Sequence, residues 1–122
     1  MTIKLQCHCG NIGMEVKQLP DLLGDCNCSI CRRYKSLWGY YAPEDVTITG
    51  EELSSYIWGD KDVDFRRCSN CGCVTHYITT DKCPTKILAV NFRMADPGVY
   101  KTVTIRAIDG ASNGAPGCSE KI

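Results

Sequence analysis

The sequence predicts an all-β domain of small antiparallel sheets with little helix, stapled by metal. Three observations predict it. Short runs of β-branched and aromatic residues alternate with Gly, Pro, Asn and Asp turns. Only one short segment has a helical look. Seven of the ten cysteines fall in three tight clusters: Cys7-His8-Cys9, Cys26-Asn27-Cys28-Ser29-Ile30-Cys31 and Cys68-Ser69-Asn70-Cys71-Gly72.

Strands are expected over 2–6 and 12–17, with Gly10-Asn11 turning between them. Ser29 to Lys35 reads as a helical turn starting at a serine cap, too short to be stable alone. The aromatic run 37–42 is the next strand, stopped by Pro43-Glu44-Asp45. Strands 46–49 and 54–58 follow, separated by Gly50 and closed by Gly59. Segments 63–67 and 74–80 lead into and out of the third cysteine cluster. Segments 86–93 and 103–108 complete the set. Asp96-Pro97-Gly98 is expected to be a turn, with proline fixing φ and glycine supplying a positive φ. Residues 1–110 form one domain, and 111–122, rich in Gly, Ser and Asn, a loosely held tail.

At 122 residues and 43% hydrophobic content, the core is modest, and such domains often lean on a metal or disulfide staple. The start, Met1 to Cys7, has no long apolar run, so neither a secretory leader nor a membrane span is expected. A cytoplasmic setting follows, where thiols stay reduced and available to metal. Fourteen basic residues balance fourteen acidic ones, and no basic stripe is present, which argues against nucleic acid. The basic stretches Arg32-Arg33-Tyr34-Lys35 and Arg66-Arg67 each flank a cysteine cluster. They serve either as a solvated face balancing a thiolate centre or as a grip for an anionic substrate.

Zinc prefers four soft ligands, and two short-spaced cysteine pairs supply them with little backbone strain. Cys7, Cys9, Cys68 and Cys71 make one complete set, each pair at the tip of a hairpin. The small Gly10 and Gly72 would let backbone amides approach the sulfurs. Cys26, Cys28 and Cys31 supply three ligands and leave a fourth position free. A closed site is structural, whereas a three-ligand site is the pattern of catalytic zinc. His8 points away from its flanking ligands, and His76 belongs on a strand face. Cys73 is either a small buried residue or a reserve ligand for the triplet. Cys83 and Cys118 receive no role.

The run Cys26-x-Cys28-x-x-Cys31-Arg32-Arg33, preceded by Cys7-x-Cys9-Gly10 and followed by Cys68-x-x-Cys71-Gly72, resembles the glutathione-dependent formaldehyde-activating enzyme family, which includes the centromere protein V-like proteins. The resemblance spans residues 3–109. It implies a β-tent fold, structural zinc at Cys7, Cys9, Cys68 and Cys71, and catalytic zinc at Cys26, Cys28 and Cys31. It further implies a carbon–sulfur lyase type of reaction, in which glutathione adds to formaldehyde. Arg32, Arg33 or Lys35 would pair with glutathione carboxylates, Arg being suited to a two-pronged grip. Trp38, Tyr40, Tyr41 and Trp58 are either pocket walls or plain core.

Three functions fit these residues: a zinc enzyme acting on a small thiol or thiol–aldehyde adduct, a zinc-stabilised binding module without activity, and a thiol redox protein. Metal content separates them, since two zincs favour the first. Oligomeric state is not encoded in any of these features.

Overall fold

The computed structural model describes residues 2–59 and 61–113. Among the described residues ten strands form two sheets. In chain order they are β1 (Ile3–Gln6), β2 (Gly13–Val16), β3 (Leu22–Cys26), β4 (Trp38–Tyr41), β5 (Val46–Thr49), β6 (Leu53–Tyr56), β7 (Val63–Cys68), β8 (Val74–Thr79), β9 (Leu88–Asn91) and β10 (Thr104–Ile108). Among the described residues three one-turn α-helices accompany them, α1 (Cys31–Tyr34), α2 (Pro97–Tyr100) and α3 (Gly110–Asn113), beside two 3-10 turns at Pro43–Asp45 and Phe92–Met94. The predicted all-β class holds.

The smaller sheet runs β1-β2-β5 and the larger β10-β3-β4-β9-β8-β7-β6. Pairing is antiparallel throughout except at one edge, where β10 lies parallel to β3 with Ile108 opposite Cys26. Side chains alternate across a strand, so the larger sheet presents two different faces. One face gives Leu88 and Val90, which pack with Leu5, Met14 and Val16 of the smaller sheet and with Leu23, Leu37 and Phe92. The other gives Trp38, Phe65, Tyr77 and Ala89, which pack with Cys26 and Cys31. β9 is buried on both faces and is therefore continuously apolar up to Asn91. Asn91 is itself buried, and its amide donates to the Val74 carbonyl (2.8 Å) while its oxygen accepts from Leu37 N–H (3.2 Å).

Three local expectations are revised. Strand β3, which delivers Cys26, is absent from the sequence reading. The helical turn starts at Cys31 and is preceded by Ile30 in cap position; Ser29 does not cap it, and its carbonyl instead accepts from Arg33 Nη1 at 2.7 Å. Pro97 begins a helical turn rather than a glycine turn, because proline's fixed φ suits a first helical position. Residues 110–113 form α3 and are tied to the domain through Asn27; the rest of the expected tail, 114–122, lies outside the described residues. Among the described residues no helix is long and apolar enough to cross a membrane.

Candidate metal centres

The β1–β2 and β7–β8 hairpins carry the two cysteine pairs at their tips, as the spacing predicts. The two tips share one construction. Cys7 N–H donates to the Ile12 carbonyl and Cys68 N–H to the Cys73 carbonyl, each five residues on at 3.0 Å. Gly10 and Gly72 N–H donate back to Cys7 and Cys68 carbonyls (3.0 and 2.9 Å). Both glycines have positive φ, 83° and 80°. Open space surrounds Gly72, so the reason for glycine is backbone conformation and not the close approach expected from sequence.

The Sγ atoms of Cys7, Cys9, Cys68 and Cys71 lie within 4.8 Å of one another. Cys9 Sγ stands 3.7 Å from Cys7 Sγ and 3.6 Å from Cys68 Sγ. Four sulfurs at 2.3 Å from a tetrahedral zinc would be separated by about 3.8 Å, so this donor set fits that metal. Backbone amides prepare the thiolates. Cys71 N–H points at Cys68 Sγ (3.5 Å), and Ile12 N–H points at Cys7 Sγ (3.3 Å). Amide donors from Cys73 and Cys9 hold the Cys71 thiol down at about 5. Burial instead pushes Cys7 up to about 11. A cation held among the sulfurs would offset that cost.

The second cluster, Cys26, Cys28 and Cys31, also gathers its sulfurs within 4.8 Å. Cys26 closes β3, Cys31 opens α1, and Cys28 stands half-buried between them. Hydrogen bonds from the Cys26 and Cys31 thiols hold Cys28 far below the ordinary thiol range, helped by Cys31 N–H at 3.4 Å. The same sharing pushes Cys26 and Cys31 up. Three sulfurs this close cannot all ionise without a cation, the condition that a soft metal relieves.

The floor of this site is aromatic. Trp38 and Tyr77 pack edge to face at 4.8 Å, and Phe65 meets Tyr77 at 5.4 Å and Tyr34 at 5.7 Å. Trp38 Nε1–H donates to Cys31 Sγ at 3.4 Å, orienting the ligand from a buried, rigid ring. Tyr40 joins this floor. Tyr41 does not: it packs on the opposite core and donates to the Gln18 carbonyl. Trp58 is exposed beyond β6.

Asn27, between the first two ligands, holds a strap over the site. Its amide donates to Asp109 (3.0 Å) and its oxygen accepts from Ala111 N–H (3.0 Å). Gly110 is thereby laid against the triplet; a Cβ there would collide with Cys26 Sγ and come within 3.6 Å of Cys28 Cβ. Sequence reasoning missed both residues, since an Asn between cysteines and a Gly near a tail carry no distinguishing signal.

Arg32 and Arg33 are exposed on α1, beside the triplet. Of the other basic pair, Arg66 is bound to Asp64 (Nε to Oδ2, 2.7 Å). Arg67 lies near enough to Tyr34 for its charge to oppose the burial that raises that phenol. His8 joins neither cluster. His76 is buried on β8, its Nδ1 2.8 Å from Thr75 Oγ1. Cys73 belongs with the four-sulfur centre, where Cys71 and Cys68 raise it after burial, and not with the triplet.

A crystal structure of a Rhodobacter sphaeroides protein matches this fold with a TM-score of 0.68 and 26% identity, over 85% of this chain and all of that one. No curated protein matches the sequence. The family model described as glutathione-dependent formaldehyde-activating enzyme matches residues 2–104. With two cysteine clusters able to hold metal and most of its length inside that match, the chain belongs to the glutathione-dependent formaldehyde-activating enzyme family.

Proposed function

We propose that the protein is a cytoplasmic zinc enzyme of the carbon–sulfur lyase type, joining a small thiol to formaldehyde or releasing it, with glutathione as the thiol. One observation carries this reading: three cysteine sulfurs from one six-residue segment lie within 4.8 Å of one another, apart from the four-sulfur centre, and that segment runs directly into the exposed Arg32 and Arg33. The four-sulfur set is the structural zinc site, and Cys26, Cys28 and Cys31 are the catalytic one. Zinc bound at the triplet supplies a Lewis-acid position that favours the thiolate form of a thiol ligand.

The chain's own residues do the rest. Trp38 fixes Cys31, and Asn27 fixes the strap against Cys26, so the triplet keeps its shape. Arg32 and Arg33 grip the carboxylates of the thiol and set its sulfur toward the triplet. In the addition, the sulfur electron pair forms the C–S bond and the C=O π pair moves to oxygen. The proton lost by the thiol ends on that oxygen, giving a hydroxymethyl thioether. The reverse reaction retraces these steps.

The test is calorimetric titration of glutathione and its formaldehyde adduct into zinc-loaded wild type, Cys28→Ser and Arg32→Ala. Wild type should bind both. Cys28→Ser should bind neither, and Arg32→Ala should bind more weakly by roughly 1.5–3 kcal/mol. A protein holding two zincs that binds no thiol would instead be a zinc-stabilised binding module.

A further inference from the structure

The hydroxyl of Tyr40 is buried and has no hydrogen-bond partner among the described residues. Its neighbour Tyr41 satisfies its own hydroxyl on the Gln18 carbonyl, so the strand does not impose the condition. A buried donor left unpaired costs about 1–3 kcal/mol, and such a group calls for an explanation.

Its position supplies one. Tyr40 and Trp38 are two apart on β4 and share the face that carries the aromatic floor. The Tyr40 ring reaches across β3 to Gly24. A Cβ at Gly24 would collide with the hydroxyl and approach Cε2 and Cζ to 3.0 Å, so glycine is required where the phenol tip rests. Gly24 and Cys26 are two apart on β3 and therefore face the same way. The hydroxyl accordingly rests on the face of β3 from which the first ligand of the triplet projects. Electrostatics agree, because after burial the Cys26, Cys31 and Cys28 thiolates are what act on this phenol.

We propose that Tyr40 is a catalytic residue whose hydroxyl donates a hydrogen bond to the oxygen of the one-carbon group carried by the thiol at the triplet. The assignment rests on the carbon–sulfur reading above and deepens it. As the C–S bond forms and the C=O π pair moves to oxygen, negative charge develops there. A fixed donor in a water-poor site stabilises that charge. Tyr40 keeps its own proton, and the proton balance remains that of the thiol and aldehyde. The donor also selects the ligand. A hydroxymethyl thioether satisfies the phenol, whereas a methyl thioether of the same thiol leaves it unpaired.

The experiment compares S-hydroxymethylglutathione, formed from glutathione and formaldehyde, with S-methylglutathione. Both are titrated into zinc-loaded wild type and Tyr40→Phe, with zinc content measured alongside. Wild type should prefer the hydroxymethyl ligand by about 3- to 10-fold. Tyr40→Phe should keep its zinc and its affinity for the methyl ligand and lose the preference. A preference surviving in Tyr40→Phe, or absent from wild type, overturns the assignment, as does failure of wild type to bind either ligand. The rate of adduct formation over the spontaneous reaction is a separate readout. A wild-type preference that Tyr40→Phe abolishes, without any acceleration, leaves Tyr40 as a donor to the ligand oxygen and overturns both its catalytic role and the lyase reading.

Discussion

Replacing Cys68 by serine tests the division of labour between the two clusters. Cys68 is fully buried, accepts from Cys71 N–H, and stands 3.6 Å from Cys9, a residue 59 positions earlier. Joining residues 59 apart costs about 3.6 kcal/mol of loop entropy by the logarithmic rule. Structural zinc returns roughly 10–16 kcal/mol, leaving about 6–12 kcal/mol net. That is comparable to the whole stability of an ordinary domain, about 5–15 kcal/mol. Cys68→Ser should therefore lack a cooperative unfolding transition at neutral pH. The assay is thermal melting by circular dichroism, with zinc counted on the same sample. A variant that melts like wild type and keeps its full zinc would refute the structural assignment and the reasoning behind it.

Three further outcomes are expected. Cys28→Ser should lose about one zinc equivalent while its melting stays cooperative, because the triplet lies within one short segment and closes no long loop; cooperative unfolding with loss of all zinc would show that the sites are coupled. Gly110→Val should leave the four-sulfur centre intact and weaken metal at the triplet about 10-fold or more, read by chelator competition; unchanged affinity would mean that the strap does not bear on Cys26. His76 is held down at about 4 by burial and by the Arg66 charge, with Asp64 opposing. The unfolded chain therefore binds the extra proton first, and the stability His76 contributes is full above about pH 6.5 and falls as pH drops toward 4. The loss should reach up to about 3 kcal/mol. Denaturant titrations across that window should show a steeper acid dependence in wild type than in His76→Gln, and equal slopes would discard the argument.

The cysteine spacing made both clusters legible because ligand geometry is local: a C-x-C or C-x-x-C pair brings its sulfurs together by turn conformation alone. The hairpins bearing those pairs were legible for the same reason. What surrounds the triplet was not. β3 reads Leu22-Leu23-Gly24-Asp25-Cys26, with a glycine and an aspartate where alternation should be strongest. That glycine answers to Tyr40, a residue on another strand, so no window of sequence explains it. The parallel pairing of β10 with β3 joins segments some 80 residues apart and depends on which sheet edge is free. Trp38 read as either pocket wall or core, and it is buried in the core; that its indole N–H also orients Cys31 appears only when α1 is laid on β4.

The strap has a consequence for how the protein is made. Asn27 and Asp109, which lock it down, are 82 residues apart. At about 5–20 residues per second, roughly 4–16 s of translation separate them. The triplet is thus complete well before the strap laid against it has been synthesised. The four-sulfur centre waits for Cys71 and closes between these two events. Nascent chains therefore pass through a stage in which the three thiols are made and the strap is not, and a soft metal present in those seconds would meet them uncovered.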